Sequence, residues 1–264
     1  MMKIITFSAM DGGVGKTTLC FNFSEYLAFN GYRVLLLDKD HKMHLSRLYQ
    51  ELDQTNTVAN IYTGGEVDIV PIKKNLDLIK GFMRLDEVSK LVDNDQRTNM
   101  LFFMWLEDNY VSKNLNQYDY IIIDTHPDFN VFTKNAIAPS HAVITPVIDS
   151  DDTDASNLES RLMDYKKENI DFKTRETNVT AKLLRVGNKL THNTGPSIAF
   201  KERIANDERY INYIPSKSVL NKTILDKKSY TQKLQDNELN KNDKQFKIEF
   251  NKIMQEIKSV VDQL

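Results

Sequence analysis

Asp11-Gly12-Gly13-Val14-Gly15-Lys16-Thr17-Thr18 follows closely on the apolar run Ile4-Ile5-Thr6-Phe7. A buried strand, a glycine-rich turn and then a helix starting at about Thr17 make the order of a phosphate-binding loop. The backbone N–H groups of such a loop converge on phosphate oxygens. Lys16 is placed to neutralise β- and γ-phosphates, and the Thr17 hydroxyl to bind Mg²⁺. Gly12, Gly13, Val14, Gly15 and Thr18 complete the candidate nucleotide-binding stretch. The plainer reading is a glycine turn without a ligand. The Lys-Thr-Thr that follows, and the helical spacing of Leu19, Phe23 and Leu27, argue against it. Two residues depart from the pattern: Met10, where glycine is usual, and Asp11.

Outward from the loop, apolar runs alternate with helical patterns. That alternation predicts an α/β protein with a mostly parallel central sheet flanked by helices on both faces. Strands are expected at Ile4–Phe7, Val34–Leu37, Val67–Ile72, Leu76–Ile79, Asp119–Asp124, Ala142–Val147 and Val179–Val186. Helices are expected over Thr17–Asn30, closed by Gly31, around Leu45–Leu52, through much of 85–116, from Asp154 to Glu168 and over Ile198–Ala205. The acidic run from Asp149 to Asp154 reads as favourable charge at a helix N-terminus. Phe246, Phe250, Ile253, Ile257, Val261 and Leu264 form one apolar stripe on a C-terminal amphipathic helix, about residues 240–263. It either packs on the sheet or serves a membrane or partner. With no repeat and no low-complexity linker, residues 1–264 read as one domain.

The 264 residues carry a net charge of −2, so any nucleic-acid surface has to be a local patch. Cys20 is the only cysteine, which excludes a disulfide framework and a cysteine-ligated metal site and fits a reducing compartment. Its place early in the first helix suggests core packing. The Met-Met-Lys start has no signal-peptide layout, and no apolar run reaches ~18 residues. The expectation is a cytoplasmic protein with no membrane partner.

Asp124 ends a strongly apolar strand and should emerge at the same sheet edge as the loop, where ligands of open α/β sheets bind. It reads as the Mg²⁺ partner, through a water, or else as a turn or cap aspartate before Pro127. Asp38 and Asp40 end the second strand at that edge. Asp38 is expected near the metal shell and Asp40 to orient or polarise an attacking water; the alternative is a solvated acidic turn. His41, His44 and His126 are expected nearby, which leaves open a His/Asp metal site.

Met-Asp-Gly-Gly-Val-Gly-Lys-Thr-Thr, then Val-Leu-Leu-Leu-Asp-Lys-Asp, then Tyr-Asp-Tyr-Ile-Ile-Ile-Asp resemble, in order and spacing, the deviant Walker A P-loop ATPases of the ParA/MinD type. The similarity is closest to ParA-like plasmid and chromosome partition proteins. It implies ATP and Mg²⁺ as ligands, a sandwich dimer of two copies closed over two nucleotides, and DNA binding without sequence preference. It also implies a ParB-like, centromere-binding adaptor that stimulates hydrolysis, and association with the nucleoid. By the same resemblance Asn188, in Val186-Gly187-Asn188, contacts the base, and Pro215, in Tyr213-Ile214-Pro215-Ser216-Lys217, lies along it. Asp11 occupies the position of the family's signature lysine, a catalytic cation that reaches the partner copy's phosphates. A carboxylate there replaces attraction by repulsion, so hydrolysis is expected to be weak. Further departures are His41-Lys42-Met43-His44 after Asp40 and Thr125-His126-Pro127 after Asp124.

Lys217, Lys222, Lys227 and Lys228 form a basic segment with Lys233, and Arg185, Lys189, Lys201 and Arg203 are expected near it. These residues are either a phosphate-contacting DNA surface or solvated helix faces. Two other functions fit the sequence: a MinD-like positioning ATPase, or a non-hydrolysing nucleotide-binding scaffold marked by Asp11.

Overall fold

The computed structural model describes residues 1–92, 98–149, 153–191 and 194–264. Residues 150–152 of the acidic run therefore lie outside the described residues; the helix that follows begins at Thr153 with Asp154 in its first turn.

Among the described residues eight strands form one sheet in the order β3-β4-β2-β5-β1-β6-β7-β8. The first half runs β1 (Lys3–Phe7), α1 (Lys16–Phe29), β2 (Val34–Lys39), α2 (His44–Leu48), α3 (Asn60–Thr63), β3 (Val70–Lys73) and β4 (Leu76–Ile79), then α4 (Leu85–Val92) and α5 (Leu101–Asn109). The second runs β5 (Tyr120–Thr125), α6 (Val131–Ile137), β6 (Ala142–Val147), α7 (Thr153–Glu168), β7 (Lys182–Leu190), α8 (Gly195–Asn206) and β8 (Tyr210–Pro215). It ends in α9 (Ser218–Asp226), α10 (Tyr230–Gln235), α11 (Lys241–Gln245) and α12 (Lys247–Asp262). All neighbouring strands are parallel except β3, which runs antiparallel to β4 at the sheet edge, with a bulge between Pro71 and Lys73.

The continuous apolar runs of β1, β2 and β5 follow from burial on both faces. Alternation along each strand sends Ile5, Leu36 and Ile122 to one side, where α1, α9, α10 and α12 cover them. It sends Ile4, Leu35, Leu37, Ile121 and Ile123 to the other, against α3 to α6. The expected parallel sheet with helices on both faces is thus present. Gly31, at φ +91°, closes α1 in the left-handed region. Cys20 is buried in the core, and burial pushes its thiol well up.

Several elements differ from the sequence reading: the helix expected around Leu45–Leu52 ends at Leu48, the C-terminal helix is divided into α11 and α12, and α9 and α10 were not expected. The strand expected at Val67–Ile72 is shorter and antiparallel. The strand expected at Val179–Val186 starts later and runs on to Leu190. Tyr210–Pro215 is a strand, β8, which the broken apolar pattern of Tyr-Ile-Asn-Tyr-Ile-Pro concealed. The C-terminal stripe packs inward: Phe250, Ile253, Ile257 and Val261 are buried, and Phe250 meets the rings of Tyr26, Tyr230 and Phe246. Among the described residues no helix is long and apolar enough to cross a membrane. Truncating the ring at the centre of that cluster, Phe250→Ala, is expected to destabilise the protein by about 3–5 kcal/mol, read from the midpoint of urea unfolding; a loss below about 1 kcal/mol would show that α12 is a peripheral attachment.

Candidate functional site

Parallel register assembles the site. Phe7 pairs with Asp124 across β1 and β5, and Asp38 with Asp124 across β2 and β5. The loop leaving β1 and the carboxylates ending β2 and β5 therefore emerge together at the C-terminal edge of the sheet, where such folds bind ligands. In the loop Gly13 and Gly15 have φ of +82° and +94°, a region glycine enters without steric cost. Gly15 is needed for space as well: a Cβ there would lie 2.2 Å from Asn188 Nδ2.

Lys16 and Thr17, in the first turn of α1, both reach Asp124. Lys16 Nζ donates to Asp124 Oδ1 at 2.6 Å, and Thr17 Oγ1 donates to Oδ2 at 2.7 Å. Lys16 and Asp124 are buried. The Thr17 hydroxyl and the Asp124 carboxylate are adjacent hard-oxygen donors, a set that suits Mg²⁺.

Asp38 is fully buried. Its Oδ2 accepts from the Ser46 N–H and hydroxyl, each at 2.8 Å, and its Oδ1 from the Asp40 N–H at 3.2 Å. Burial pushes its carboxyl up to about 7, against the hydrogen bonds from Ser46 and Asp40 and with help from the Asp124 charge. Asp40 behaves oppositely. Burial disfavours its charge, but hydrogen bonds from His44, the Lys42 N–H and His126, with Lys16 nearby, hold its carboxyl well below the usual range. His44 Nδ1 and His126 Nδ1 each lie 2.9 Å from an Asp40 oxygen. The His44 imidazole is raised by its hydrogen bond to Asp40. A carboxylate held this strongly ionised is a poor proton acceptor and a good orienting group. Lys39, between the two aspartates, points to the other face with Nζ 3.4 Å from the centre of the Phe102 ring.

The sequence reading placed the histidines at this edge without assigning His44 and His126 to Asp40. The usable signal was their position directly after β2 and β5, which are neighbours in the sheet. Asp40, His41 and His126 also bring potential ligand atoms within 4.8 Å of one another. Asp11 is exposed beside Lys16, Thr17 and Asp40 in the same cleft. Asn188 and Pro215 line an adjoining slot with Gly15, Thr18, Leu220 and Met254.

The basic residues do not gather as expected. Arg185 is fully buried, ion-paired with Glu159 at 2.6 Å and set over the Tyr210 ring, so it belongs to no surface that could meet DNA. The sequence reading missed this because strand alternation turns Arg185 under α7 and β8. Lys189 lies at the phosphate loop instead. Lys228 pairs with Asp236 and Glu238, Lys233 with Asp226, and Lys217 sits over Phe246. Lys222 and Lys227 are exposed on and just after α9.

The raised pKa of Asp38 has a definite sign in stability. Between about pH 4 and about pH 7 the unfolded chain releases this proton before the folded protein does, so the Asp38 contribution falls as pH rises through that window. The thermal midpoint of the ligand-free protein should therefore drop more from about pH 5 to about pH 8 in the wild type than in Asp38→Asn. Equal drops would show that Asp38 is not the group responsible.

Comparison with known proteins places the fold. A family model described as an AAA domain matches residues 2–168. Over 158 residues the chain is 32% identical to the sporulation initiation inhibitor protein Soj of Bacillus subtilis, covering 56% of this chain and 58% of Soj. It is 29% identical over 152 residues to the chromosome-partitioning ATPase Soj of Treponema pallidum, covering 56% and 57%. These matches span less than two thirds of the relatives' lengths. In fold the chain is similar to a plasmid partition protein from Borrelia burgdorferi B31 bound to AMPPNP, with a TM-score of 0.77 at 24% identity over 98% of this chain and 99% of that one. It is also similar to McdA of Cyanothece, with a TM-score of 0.70 at 16% identity over 87% and 92%. The sheet order, the loop and the extent of the family match agree: the chain belongs to the AAA-domain family, among its ParA/MinD-like P-loop ATPases.

Proposed function

We propose that this protein is a ParA-like partition ATPase that binds Mg·ATP and switches between a single copy and a sandwich of two. The observation that carries the reading is the pair of contacts from Lys16 and Thr17 onto Asp124. One carboxylate holds both the phosphate-binding cation and the metal-binding hydroxyl in place. With nucleotide bound, Lys16 serves the β- and γ-phosphates, and the N–H groups of residues 12–18 surround them. Thr17 and Asp124, with Asp38 behind them, would hold Mg²⁺, which would offset negative charge on the phosphates. Asn188 and Pro215 take the base. Asp40, kept ionised by its histidines, orients the attacking water.

Asp11 weakens this machine. Its exposed carboxylate faces the triphosphate where the resemblance calls for a cation, so hydrolysis is slow and closure of the two copies less favourable. DNA and a centromere-binding adaptor are the proposed partners. With Arg185 buried and Lys228 and Lys233 in ion pairs, the exposed Lys222 and Lys227 are the first candidates in this segment to meet phosphates. Asp11 also supports a second reading, a nucleotide-binding scaffold that does not hydrolyse ATP.

Light scattering with and without Mg·ATP, beside a phosphate-release assay, tests the proposal. The wild type should bind ATP and turn it over slowly, and Lys16→Ala should abolish binding. Asp11→Lys should raise turnover by about 10³-fold or more and give a nucleotide-dependent doubling of mass. Fast wild-type hydrolysis unchanged by Asp11→Lys would refute the role given to Asp11, and a variant that binds ATP yet stays single and inactive would favour the scaffold. Binding to DNA of random sequence should fall steeply between about 50 and about 200 mM salt and weaken further in Lys222→Ala/Lys227→Ala; salt-insensitive binding would exclude a phosphate-contact surface.

A further inference from the structure

β7 departs from strand geometry at its end. Its pairing with β8 shifts register between Gly187 and Leu190. Lys189 takes φ +57°, the left-handed region that lysine seldom occupies. Consecutive side chains of a regular strand point to opposite faces. The turn at Lys189 breaks that alternation, and both Asn188 and Lys189 reach the phosphate loop. Asn188 Nδ2 donates to the Val14 carbonyl at 2.7 Å, and Lys189 Nζ donates to the Gly13 carbonyl at 2.7 Å. A backbone conformation of this kind persists where the surrounding structure imposes it, often at a ligand site.

Lys189 also borders both concavities, the slot with Asn188 and Pro215 and the cleft with Lys16 and Thr17. A nucleotide with its base in the slot and its terminal phosphates at Lys16 spans both concavities, whose shared lining is Gly15, Thr18, Lys189 and Asn221. The exposed Asp11 carboxylate and the Gly13 carbonyl oxygen both repel a phosphate, and Lys189 is the cation already in contact with that carbonyl.

We propose that Lys189 is a second phosphate-binding cation of the nucleotide site, acting within its own subunit. Its ammonium moves from the Gly13 carbonyl to the α- and β-phosphates and offsets Asp11. The inference rests on the nucleotide-binding reading above and adds to it a residue and a sub-site. It also makes Asn188 and Lys189 a divided pair: one fixes the loop backbone at Val14, and the other exchanges a loop carbonyl for the ligand.

Calorimetric titration of the full chain with ATP, ADP and adenosine tests it. Asparagine tolerates the left-handed conformation, so Lys189→Asn removes the charge and leaves the turn; Lys189→Arg keeps the charge. Lys189→Asn should weaken ATP and ADP by about tenfold or more and leave adenosine within about twofold. Lys189→Arg should recover most of the loss, and the thermal midpoint of the ligand-free protein should not change. Unchanged dissociation constants for ATP and ADP overturn the proposal, as does an equal loss for adenosine, which would make Lys189 a wall of the base slot. A wild type that binds none of the three overturns the nucleotide reading and this proposal with it, an outcome distinct from a wild type that binds while the variants match it.

Discussion

The site depends on a buried ion pair whose members stand 108 positions apart in the chain, Lys16 and Asp124, 2.6 Å from each other. Two charges taken out of water cost several kcal/mol each unless geometry and further hydrogen bonds compensate. Here Thr17 supplies the second bond to the same carboxylate. The pair can form because β1 and β5 lie side by side in the middle of the sheet with Phe7 and Asp124 in register. A slip of one residue would turn Asp124 toward the opposite face and strand the Lys16 charge. Ile121, Ile122 and Ile123 are alike and buried on both faces, so the apolar run alone tolerates such a slip; the polar tip, through the bonds of Lys16 and Thr17 to Asp124, favours the observed register.

The half of the sheet beyond β6 is coupled to the loop differently. Gly15 has no room for a Cβ against Asn188, and the end of β7 touches the carbonyls of Gly13 and Val14. The loop is held from below by Asp124 and from the side by β7. On the far side Asp38 and Asp40 share one turn with opposite proton affinities, one raised by burial and the other lowered by its donors. A ligand that changes the charge at Asp124 also acts on Asp38, because the two are register partners and the Asp124 charge helps raise the Asp38 carboxyl.

The central strands, the loop, Lys16, Thr17 and Asp124 were legible because each rests on a local rule: apolar runs for strands buried on both faces, glycines where φ is positive, a carboxylate at a strand end. The resemblance supplied Asn188 and Pro215, which no spacing rule finds. What escaped depended on non-local placement. Arg185 looks like a surface cation until β8 and α7 cover it and Glu159 meets it. The register shift that brings Lys189 to the loop has no composition signature, since Gly187-Asn188-Lys189 reads as an ordinary strand end. The attachment of His44 and His126 to Asp40 required knowing that β2 and β5 are neighbours. β8 was missed because Asn212 interrupts the apolar run that would have marked it.

The antiparallel strand at the sheet margin bears on assembly. An exposed strand edge is a template for another chain's backbone. β3 is four residues long, Pro71 has no N–H to give, and the bulge before Lys73 puts the next ladder out of step. A visiting strand would find a missing donor and a broken spacing within one short segment. Extension of the sheet by another chain's strand is thus closed at that margin, and the hydrogen-bonded face of the sheet ends with the chain's own eight strands.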